Sequence, residues 1–545
     1  MSHNDRNELV GPKSDDNEVT DSIIEEVFSE YGYPNRKLSD RISVFINRDV
    51  TIIKWLTKNN VSFLIVFQIS SNKIYNFEDL DIFLGPEDQY CSSFIIRNNG
   101  LNSFYKKNFS TKSIEQSNDI LLYRMPKNLK PNYPSNFLSD RFESFFFEAH
   151  SLIRDIDGLH PDEALDELCK IIYTKLYDEE IVKELKFCFF DLSVYGNYEE
   201  YAATLRKLYS EANEYDIRVF SLKIPGYKRS RGVFDDPIKL SSLALSKVSE
   251  LFSQFSFSKS DIDIKARAFQ NVYRPTTRAG MGQYFTPLNV IRFIISVVKP
   301  SCNELILDPF CGSAHFLTES INFTRNSTQS DKLKNEFLFN KLHGIEKSER
   351  MVRIAMTDMR LHGDGHSNIR CTDALLSFNN YYDITPNTFD IIMTNPPFGS
   401  TLTNEMTQYV GDFDLIKRNA KIPLEVLGLE RCIQLLREGG KLAIVLPESI
   451  LVNKTYKYVR EWIKTNTKIR AIVSLPIETF MPYGANIKTS IVFCVKDKNA
   501  HQSTYNVFSG GIDNIGYDAT GKVLQENDWE NLSIKLCEFL EKEGW

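Results

Sequence analysis

The chain has 545 residues, of which 42% are hydrophobic and 25% charged, and its formal net charge is −7 at pH 7. This length exceeds what one hydrophobic core supports, and the longest apolar runs are too short to span a membrane, so we expect several domains and no membrane association. Nine scattered cysteines without a Cys-x-x-Cys pair argue against a disulfide framework or a metal site and favour the reducing cytoplasm. Because phosphate binding needs basic groups, an acidic protein that acts on nucleic acid is expected to depend on a partner for part of its affinity.

Composition and periodicity divide the chain into six stretches. Strand-like runs separated by Asn-rich turns come first, followed by a Pro- and Asn-rich segment and then a mostly helical region. Short β runs then alternate with helical segments. We predict a disordered tail (1–21), an α/β accessory domain (22–125), a linker (126–140) and a helical domain (141–262). A larger α/β domain (263–497) and a tail with an amphipathic helix (498–545) follow.

Two helical patterns are regular enough to predict a buried face. The first begins at Pro161, a residue favoured at helix starts, and runs to Glu180. Its predicted apolar face consists of Ala164, Leu165, Leu168, Ile171, Ile172 and Leu176. The second lies near the end of the sequence and places Leu532, Leu536, Phe539 and Leu540 on one side. This last helix can pack on its own domain or dock onto a partner chain.

The region 263–497 contains the apolar runs ELILD, KLHGIE, FDIIMT, KLAIVLP, IRAIVSL and SIVFCVK, with helical segments between them. Such alternation predicts a mostly parallel sheet covered by helices. Ligands of open α/β sheets bind at the carboxyl ends of the strands. The residues that follow each run are therefore the candidates for a functional site.

Three strand ends carry acidic residues. Asp308 ends the first run and precedes a turn with Gly312, where the backbone can approach a ligand closely. Glu346 ends the second run, a position that in nucleotide-binding folds holds ribose hydroxyls. Asp373 lies in NIRCTDAL (368–375) and can accept a hydrogen bond from an amino group. Each has an ordinary alternative, a turn without a ligand or a solvated charge.

The fourth strand end is TNPPF, residues 394–398. Two consecutive prolines offer no backbone N–H and fix φ, so the preceding strand must stop there. The turn presents Asn395, Pro396, Pro397 and Phe398 at the carboxyl end of the strand. By itself the pattern is also compatible with a simple tight turn.

The order of motifs along the chain carries a family resemblance. GQYFTP (282–287), DPFCGSAHFL, GIEKSE, CTDAL and TNPPF together resemble the S-adenosylmethionine-dependent adenine-N6 DNA methyltransferases. The closer resemblance is to the modification subunit of type I restriction–modification systems, and it continues through 427–447, 480–493 and 513–522. Upstream, 153–179 resembles the helical N-terminal domain of that subunit. The resemblance implies a Rossmann-like methyltransferase domain after a helical domain and a small α/β domain, and site-specific methylation of adenine N6 in DNA.

The resemblance assigns the Asn-Pro-Pro-Phe turn to catalysis. The exocyclic amine of adenine is a poor nucleophile because its lone pair is delocalised into the ring. Acceptors placed on its two hydrogens favour a more nucleophilic nitrogen. The Asn395 side-chain oxygen and the Pro396 carbonyl would accept these hydrogens, and Pro397 would keep the turn rigid. Phe398 would stack on an adenine that has left the duplex.

The resemblance assigns S-adenosylmethionine to the other strand ends. Its methionine end would lie against GQYFTP, its amino-acid part in the turn after Asp308, its ribose on Glu346 and its adenine amine on Asp373. The implied cofactor-binding residues are Gln283, Tyr284, Phe285, Thr286, Asp308, Gly312, Ser313, Ala314, Glu346 and Asp373.

One departure from the family pattern affects the cofactor turn. The sequence Ser313-Ala314-His315 stands where the family commonly has Gly or another small residue. Either cofactor binding is altered, or His315 turns outward from the start of the helix that follows. We expect the outward orientation.

Residues 22–125 resemble the nuclease-like domain found at the start of type I restriction subunits. An active nuclease of that kind needs an acid followed by a Glu-x-Lys pair to bind a metal ion. Asp49 is a candidate for the first acid, but the second position reads Gln68-Ile69-Ser70, with no acid and no Lys in place. We therefore expect no cleavage activity; the alternative is an unrelated α/β accessory domain.

Sequence-specific methylation needs a reader of base edges. Only about fifty residues follow SIVFCVK, too few for a target-recognition domain, so a separate specificity subunit is expected, with double-stranded DNA and a restriction subunit as further partners. The basic stretches 227–232 and 273–278 are either phosphate contacts or merely solvated, and 400–424 is expected to be a long loop. The alternatives are an RNA or protein-glutamine methyltransferase and a catalytically silent scaffold that binds DNA or partners.

Overall fold

The structure is a computed structural model, and it describes the chain in segments. The described residues are 42–47, 50–56, 62–69, 80, 93–98, 101–107, 114–117, 142–180, 189–190, 197–223, 233–257, 268–270, 272, 286–325, 330–363, 368–381, 384–402, 410–411, 413–416, 421–502 and 504–545. They fall into two compact units, one within Met1–Tyr133 and Glu180–Arg218 and the other within Pro134–Glu179 and Val219–Trp545. No helix among these residues is both long enough and apolar enough to cross a bilayer. The domain boundaries expected above remain predictions.

The strands, in chain order, are β1 (Ile42–Asn47), β2 (Val50–Leu56), β3 (Ser62–Ile69), β4 (Ser93–Asn98), β5 (Leu101–Lys107), β6 (Ile114–Ser117), β7 (Ile306–Asp308), β8 (Leu342–Glu346), β9 (Ile369–Cys371), β10 (Phe389–Thr394), β11 (Thr401–Leu402), β12 (Ile422–Pro423), β13 (Leu436–Pro447), β14 (Thr467–Ser474), β15 (Thr489–Lys496) and β16 (Phe508–Gly511). The α-helices are α1 (Phe142–Asp157), α2 (Pro161–Glu180), α3 (Tyr198–Lys223), α4 (Ser242–Ser253), α5 (Leu288–Val298), α6 (His315–Arg325), α7 (Asp331–Glu336), α8 (Glu349–Leu361), α9 (Leu424–Leu435), α10 (Glu448–Val452), α11 (Lys457–Asn466) and α12 (Trp529–Lys542).

The first unit contains a six-stranded sheet in which β1 to β6 are neighbours in chain order. The strands pair antiparallel except for β3 and β4, which are parallel. The core on this sheet includes Ile65, Phe67 and Phe94. Gln68 lies in β3, whereas Asp49 and Ser70 are outside the described residues, so the expectation of a degenerate nuclease-like site stays a prediction.

The second unit is built on an eight-stranded sheet in the order β16-β14-β15-β13-β10-β7-β8-β9. The two pairs made by β15 are antiparallel and all the others are parallel. The prediction of a mostly parallel sheet is therefore confirmed, and β10 has the bounds of the run FDIIMT.

The chain order reverses between β7 and β10. From β7 the chain proceeds outward through β8 and β9, and from β10 it proceeds in the opposite direction to β13 and beyond. Ligands of open α/β sheets bind at such switch points, because the loops that leave two neighbouring strands diverge there. The carboxyl ends of β7 and β10 are Asp308 and Thr394, so both candidate turns start at this position.

Helix α2 has the predicted bounds and the predicted apolar face, but its polar face is buried too. Lys170 is fully buried, and its Nζ lies 2.7 Å from Glu167 Oε1, 2.9 Å from Asp236 Oδ2 and 2.9 Å from the Pro237 carbonyl oxygen. The acidic residues Asp166, Glu167 and Asp236 therefore surround an ammonium group. They form an ion-pair cluster, which the apolar periodicity alone did not indicate.

The C-terminal helix α12 packs on its own unit. Trp529 Nε1 donates to the Ile515 carbonyl at 3.0 Å, and Leu536 and Leu540 are buried. The Ser533 hydroxyl lies 2.9 Å from that of Ser296 on α5. Of the two placements left open by the sequence, the structure has the intramolecular one.

Candidate active site

A cavity of about 400 Å³ lies at the carboxyl ends of the central strands, a size typical of small-molecule sites. Its lining includes ten of the residues selected from the sequence, namely Thr286, Asp308, Gly312, Ser313, Glu346, Asp373, Asn395, Pro396, Pro397 and Phe398. Ala314 is fully buried behind the lining. Gln283, Tyr284 and Phe285 lie outside the described residues.

The turn after β7 has a left-handed backbone at two positions, with φ of +52° at Gly312 and +65° at Ala314. A Cβ atom built on Gly312 would have no neighbour within 4 Å, so this glycine is required by backbone conformation rather than by space. At Ala314 the same kind of conformation is imposed on a residue with a side chain, which is unfavourable.

Replacement of Ala314 by glycine should relieve this strain. Left-handed conformation costs a non-glycine residue about 1 kcal/mol or more, part of which is offset by the greater chain entropy of glycine when unfolded. We expect the free energy of unfolding to rise by about 0.5–1 kcal/mol, measured by thermal unfolding. Ala355→Gly, in the middle of α8, is the matched control and should be destabilising by about 1 kcal/mol. Equal destabilisation by both substitutions would contradict the strain at Ala314.

The prediction that His315 turns outward is wrong. The residue is only 8% exposed and lines the cavity, and its Nδ1 lies 3.3 Å from the Ser313 hydroxyl. The left-handed turn at Ala314 determines the direction in which the first side chain of α6 leaves the backbone. Sequence periodicity carries no information on this backbone torsion, so the sequence did not indicate the buried orientation of His315.

Glu346 connects the ends of two strands. Its Oε2 accepts the Gly312 backbone N–H at 3.2 Å, and its Oε1 accepts that of Ser348 at 2.8 Å. Burial raises the pKa of this carboxyl group, while the backbone N–H donors stabilise its ionised form. Each carboxylate oxygen keeps a lone pair for a further donor, such as a hydroxyl group of a ligand.

Asp373 lies at the next strand end, in a loop fixed by several contacts. Its Oδ1 accepts the Leu375 N–H at 3.0 Å, and its Oδ2 lies 3.0 Å from Lys347 Nζ. The Tyr381 hydroxyl donates to the Asp373 carbonyl oxygen. From the opposite side Arg431, which is fully buried, donates to the Leu376 carbonyl at 2.9 Å.

Asp308 is buried between the two candidate turns. Its Oδ1 accepts the Thr394 hydroxyl at 2.5 Å and the Phe310 N–H at 3.1 Å. Burial raises the pKa of Asp308 to about 7, and these two donors oppose the shift. Since Thr394 immediately precedes Asn395, this hydrogen bond joins the turn after β7 to the Asn-Pro-Pro-Phe turn.

Removal of the Thr394 hydroxyl should destabilise the protein more at pH 8 than at pH 5. The hydroxyl stabilises the Asp308 carboxylate, which in the folded state is ionised above a pKa of about 7 and protonated below it. We expect Thr394→Val to lower the free energy of unfolding by about 1.5–3 kcal/mol at pH 8 and by about 1 kcal/mol at pH 5. Thr394→Ser keeps the hydroxyl and is the control. Equal losses at the two pH values, measured by thermal unfolding, would show that the carboxylate is not involved.

The Asn-Pro-Pro-Phe turn places an acceptor and an aromatic ring beside the cavity. Asn395 Oδ1 is buried, and none of the described residues donates a hydrogen bond to it. Such an acceptor is unfavourable unless a ligand satisfies it. Pro396 is buried, and Phe398 is 5% exposed with its ring in edge-to-face contact with Phe480, at a centroid distance of 5.8 Å.

The chain that follows the turn is held against α9. The expected long loop at 400–424 begins and ends in paired strands, because β11 and β12 pair antiparallel. The Leu424 N–H also donates to the Ser400 carbonyl at 2.9 Å. Burial raises the pKa of Glu425, and the Gly399 N–H hydrogen-bonded to its carboxylate opposes this shift.

Gly428 allows α9 to approach the turn closely. A Cβ atom at this position would lie 3.0 Å from Pro396 Cβ and 3.1 Å from Phe310 Cε2. The sequence offered one signal for this residue, since a glycine inside a helix costs about 1 kcal/mol and is usually retained for packing. Arg431 offered none, because its stacking between the Phe378 and Phe413 rings depends on tertiary structure.

The arrangement is suited to hold a polar ligand and to accept hydrogen bonds from an amine. Acidic side chains stand at three neighbouring strand ends, and one unsatisfied amide oxygen stands at the fourth. The geometry is therefore that of positioning and electrostatic stabilisation.

Comparison with known sequences gives one consistent result. The family profile described as N-6 DNA Methylase matches residues 268–545, which is more than half of the chain. The type I restriction enzyme EcoEI methylase subunit of Escherichia coli is 28% identical over 236 residues, 42% of this chain and 45% of that protein. The type II restriction enzyme and methyltransferase RM.BcgI of Heyndrickxia coagulans is 27% identical over 42% of this chain and 34% of its own length. The match thus spans less than half the length of these relatives.

Solved structures resemble the chain in fold. A chain from a study of complex assembly in the type I restriction–modification system has a TM-score of 0.56 at 18% identity, with 75% of this chain and 90% of that chain covered. The type I restriction–modification methyltransferase subunit of Streptococcus thermophilus has a TM-score of 0.51 at 15% identity, with 73% and 93% covered. At this level of identity the likeness concerns the fold, and the predicted methyltransferase fold is confirmed.

Proposed function

Because the chain belongs to the N-6 DNA methylase family, we propose that it transfers a methyl group from S-adenosylmethionine to the N6 amine of adenine in DNA. We also propose that it does so as a modification subunit, with a separate specificity subunit that reads the DNA sequence and with a restriction subunit as a further partner. The observation that carries the proposal is the buried Asn395 Oδ1, an acceptor without a described donor at the edge of a ligand-sized cavity. An amine of the substrate supplies the missing donor.

The residues of the cavity fit the cofactor. A backbone turn with an open space at Gly312 leads to the carboxylates of Glu346 and Asp373, which suit hydroxyl and amino donors of a nucleoside. Thr286 lines the same cavity and continues the GQYFTP motif, whose preceding residues are assigned to the methionine end. When bound, S-adenosylmethionine supplies a methyl group on a sulfonium that needs no further activation.

The contribution of the protein is to orient the amine and exclude water. Asn395 Oδ1 and the Pro396 carbonyl accept the two amine hydrogens, which keeps the nitrogen lone pair available for attack. The Asp308–Thr394 hydrogen bond fixes the position of these acceptors relative to the cofactor turn. The ring of Phe398 provides an apolar surface for the extruded base, and Phe480 supports it from behind.

Two other functions remain as alternatives. A methyltransferase for RNA or for protein glutamine would use the same acceptors on a different amine. A silent scaffold would need a site unable to bind cofactor, and the strained Ala314 and inward His315 are the features in its favour. The Glu346 carboxylate and the Asn395 acceptor argue for an active site.

The test is methyl transfer from tritiated S-adenosylmethionine to DNA, RNA and protein, with and without the proposed specificity subunit. We expect label only on DNA in the presence of the partner, recovered as N6-methyladenine after nuclease digestion and mass spectrometry. Label on RNA or protein instead would favour the corresponding alternative. Absence of label on every acceptor, with cofactor binding measured and the partner present, would reject the enzyme proposal.

A further inference from the structure

His315 is a cavity residue that neither the family resemblance nor the catalytic argument uses. It is the first residue of α6, it is 8% exposed, and it lines the cavity together with Ser313 and Phe316. A histidine in the wall of a ligand site can donate a hydrogen bond from a ring nitrogen to an anionic group.

Two helices that begin at the cavity pack against each other. The Arg292 side chain on α5 donates to Glu319 Oε2 on α6 at 3.0 Å. Thr286, just before α5, and His315, at the start of α6, both line the cavity.

Away from His315, the charges around the cavity are unfavourable for an anion. The carboxylates among its described lining residues are those of Asp308, Glu346 and Asp373. Of the described lining residues Lys347 is the one permanent cation, and it is paired with Asp373 at a distance of 3.0 Å. His315 is the other side chain in this part of the lining that can carry a positive charge. A ligand carboxylate thus finds its best described partner in His315.

S-adenosylmethionine carries one carboxylate, in the amino-acid part that the resemblance assigns to the turn after Asp308, and His315 stands at the end of that turn. We propose that His315 binds this carboxylate and thereby contributes to discrimination between the complete cofactor and nucleosides that lack it. The inference rests on the proposed function, since it takes the cofactor as given, and it adds a binding residue that belongs to this chain. The Ser313 hydroxyl, 3.3 Å from His315 Nδ1, orients the ring.

The experiment compares two ligands that differ in the carboxylate alone, S-adenosylmethionine and decarboxylated S-adenosylmethionine, by calorimetry on the full-length chain. We expect His315→Ala to weaken binding of S-adenosylmethionine about 10- to 100-fold, the range for a hydrogen bond to a charged group. Binding of the decarboxylated compound should change less than about threefold, because it lacks the group that His315 contacts. The control His501→Ala, at an exposed histidine, should leave both affinities unchanged.

Each outcome discriminates. An equal loss for the two ligands would assign His315 a purely structural role, and no loss for either would remove it from the site; both overturn the inference while leaving the proposed function intact. Failure of the unsubstituted chain to bind S-adenosylmethionine would overturn both. If His315→Ala does not fold, judged by its thermal unfolding without ligand, His315→Phe, which keeps a ring but has no donor, replaces it in the same comparison.

Discussion

Replacement of Asn395 by alanine should lower the rate of methyl transfer by about 10²–10³-fold, the size of effect seen when one electrostatic contact to a reacting group is removed. The substitution deletes the buried acceptor that holds an amine hydrogen and leaves the backbone carbonyl of Pro396 in place. The affinity for S-adenosylmethionine should stay within about threefold of the original, because the cofactor is assigned to other strand ends. Single-turnover methylation and calorimetry measure the two quantities.

Two further variants make this result specific. Asn395→Asp keeps an oxygen acceptor of the same reach, and we expect it to retain more activity than Asn395→Ala. Asn499→Ala changes an exposed asparagine beyond the end of β15. Because β15 is antiparallel to β13, and β13 is parallel to β10, Asn499 lies at the opposite edge of the sheet from the cavity. Its activity should equal that of the original chain. A parallel fall in cofactor affinity and rate in Asn395→Ala would contradict the assignment.

Replacement of Arg353 by methionine should lower the free energy of unfolding by about 3–5 kcal/mol, the cost of removing the hydrogen-bonded partner of a buried charge. Arg353 Nε and Nη2 lie 2.6 Å and 3.0 Å from the two carboxylate oxygens of Asp166, and Nη1 donates to the Val233 carbonyl. The guanidinium and the carboxylate are both buried. Within the second unit, this pair joins α8 to the buried polar face of α2.

The design separates a buried ion pair from a surface one. Arg437→Met removes the same charge from a half-exposed pair with Asp390, and we expect a loss below about 1 kcal/mol. The double substitution Arg353→Met with Asp166→Leu should recover much of the lost stability, because no isolated charge remains. Thermal unfolding of the full chain measures all three variants. Similar losses for Arg353→Met and Arg437→Met would refute the buried pair as a major contributor.

The sheet and its strand ends were predictable because their determinants are local. FDIIMT is a short apolar run followed closely by two prolines. Because prolines cannot continue a paired strand, the sequence alone determines where this strand ends. The same holds for Asp308 and Glu346, each the last residue of its strand. Adjacency of their side chains then follows from the general rule for parallel sheets.

Features that depend on packing between distant segments were not predictable. The polar face of α2 is buried because Arg353, Asp236 and Pro237 supply partners from far along the chain. A period of 3.6 residues identifies an apolar face but does not show whether the opposite face meets water or protein. The inward direction of His315 likewise depends on a backbone torsion at Ala314 rather than on residue type.

The adjacency of β7 and β10 has a consequence for the order in which the protein matures during synthesis. Strands β7, β8 and β9 are complete by residue 371, whereas β10 begins at residue 389. A nascent chain can therefore form the part of the cavity contributed by β7, β8 and β9 before β10 is present. The cavity is complete only when β10 pairs with β7. A ligand of the cavity binds the completed sheet, so protection by ligand in a refolding or translation experiment reports the docking of β10. It does not report the earlier formation of the three strands β7, β8 and β9.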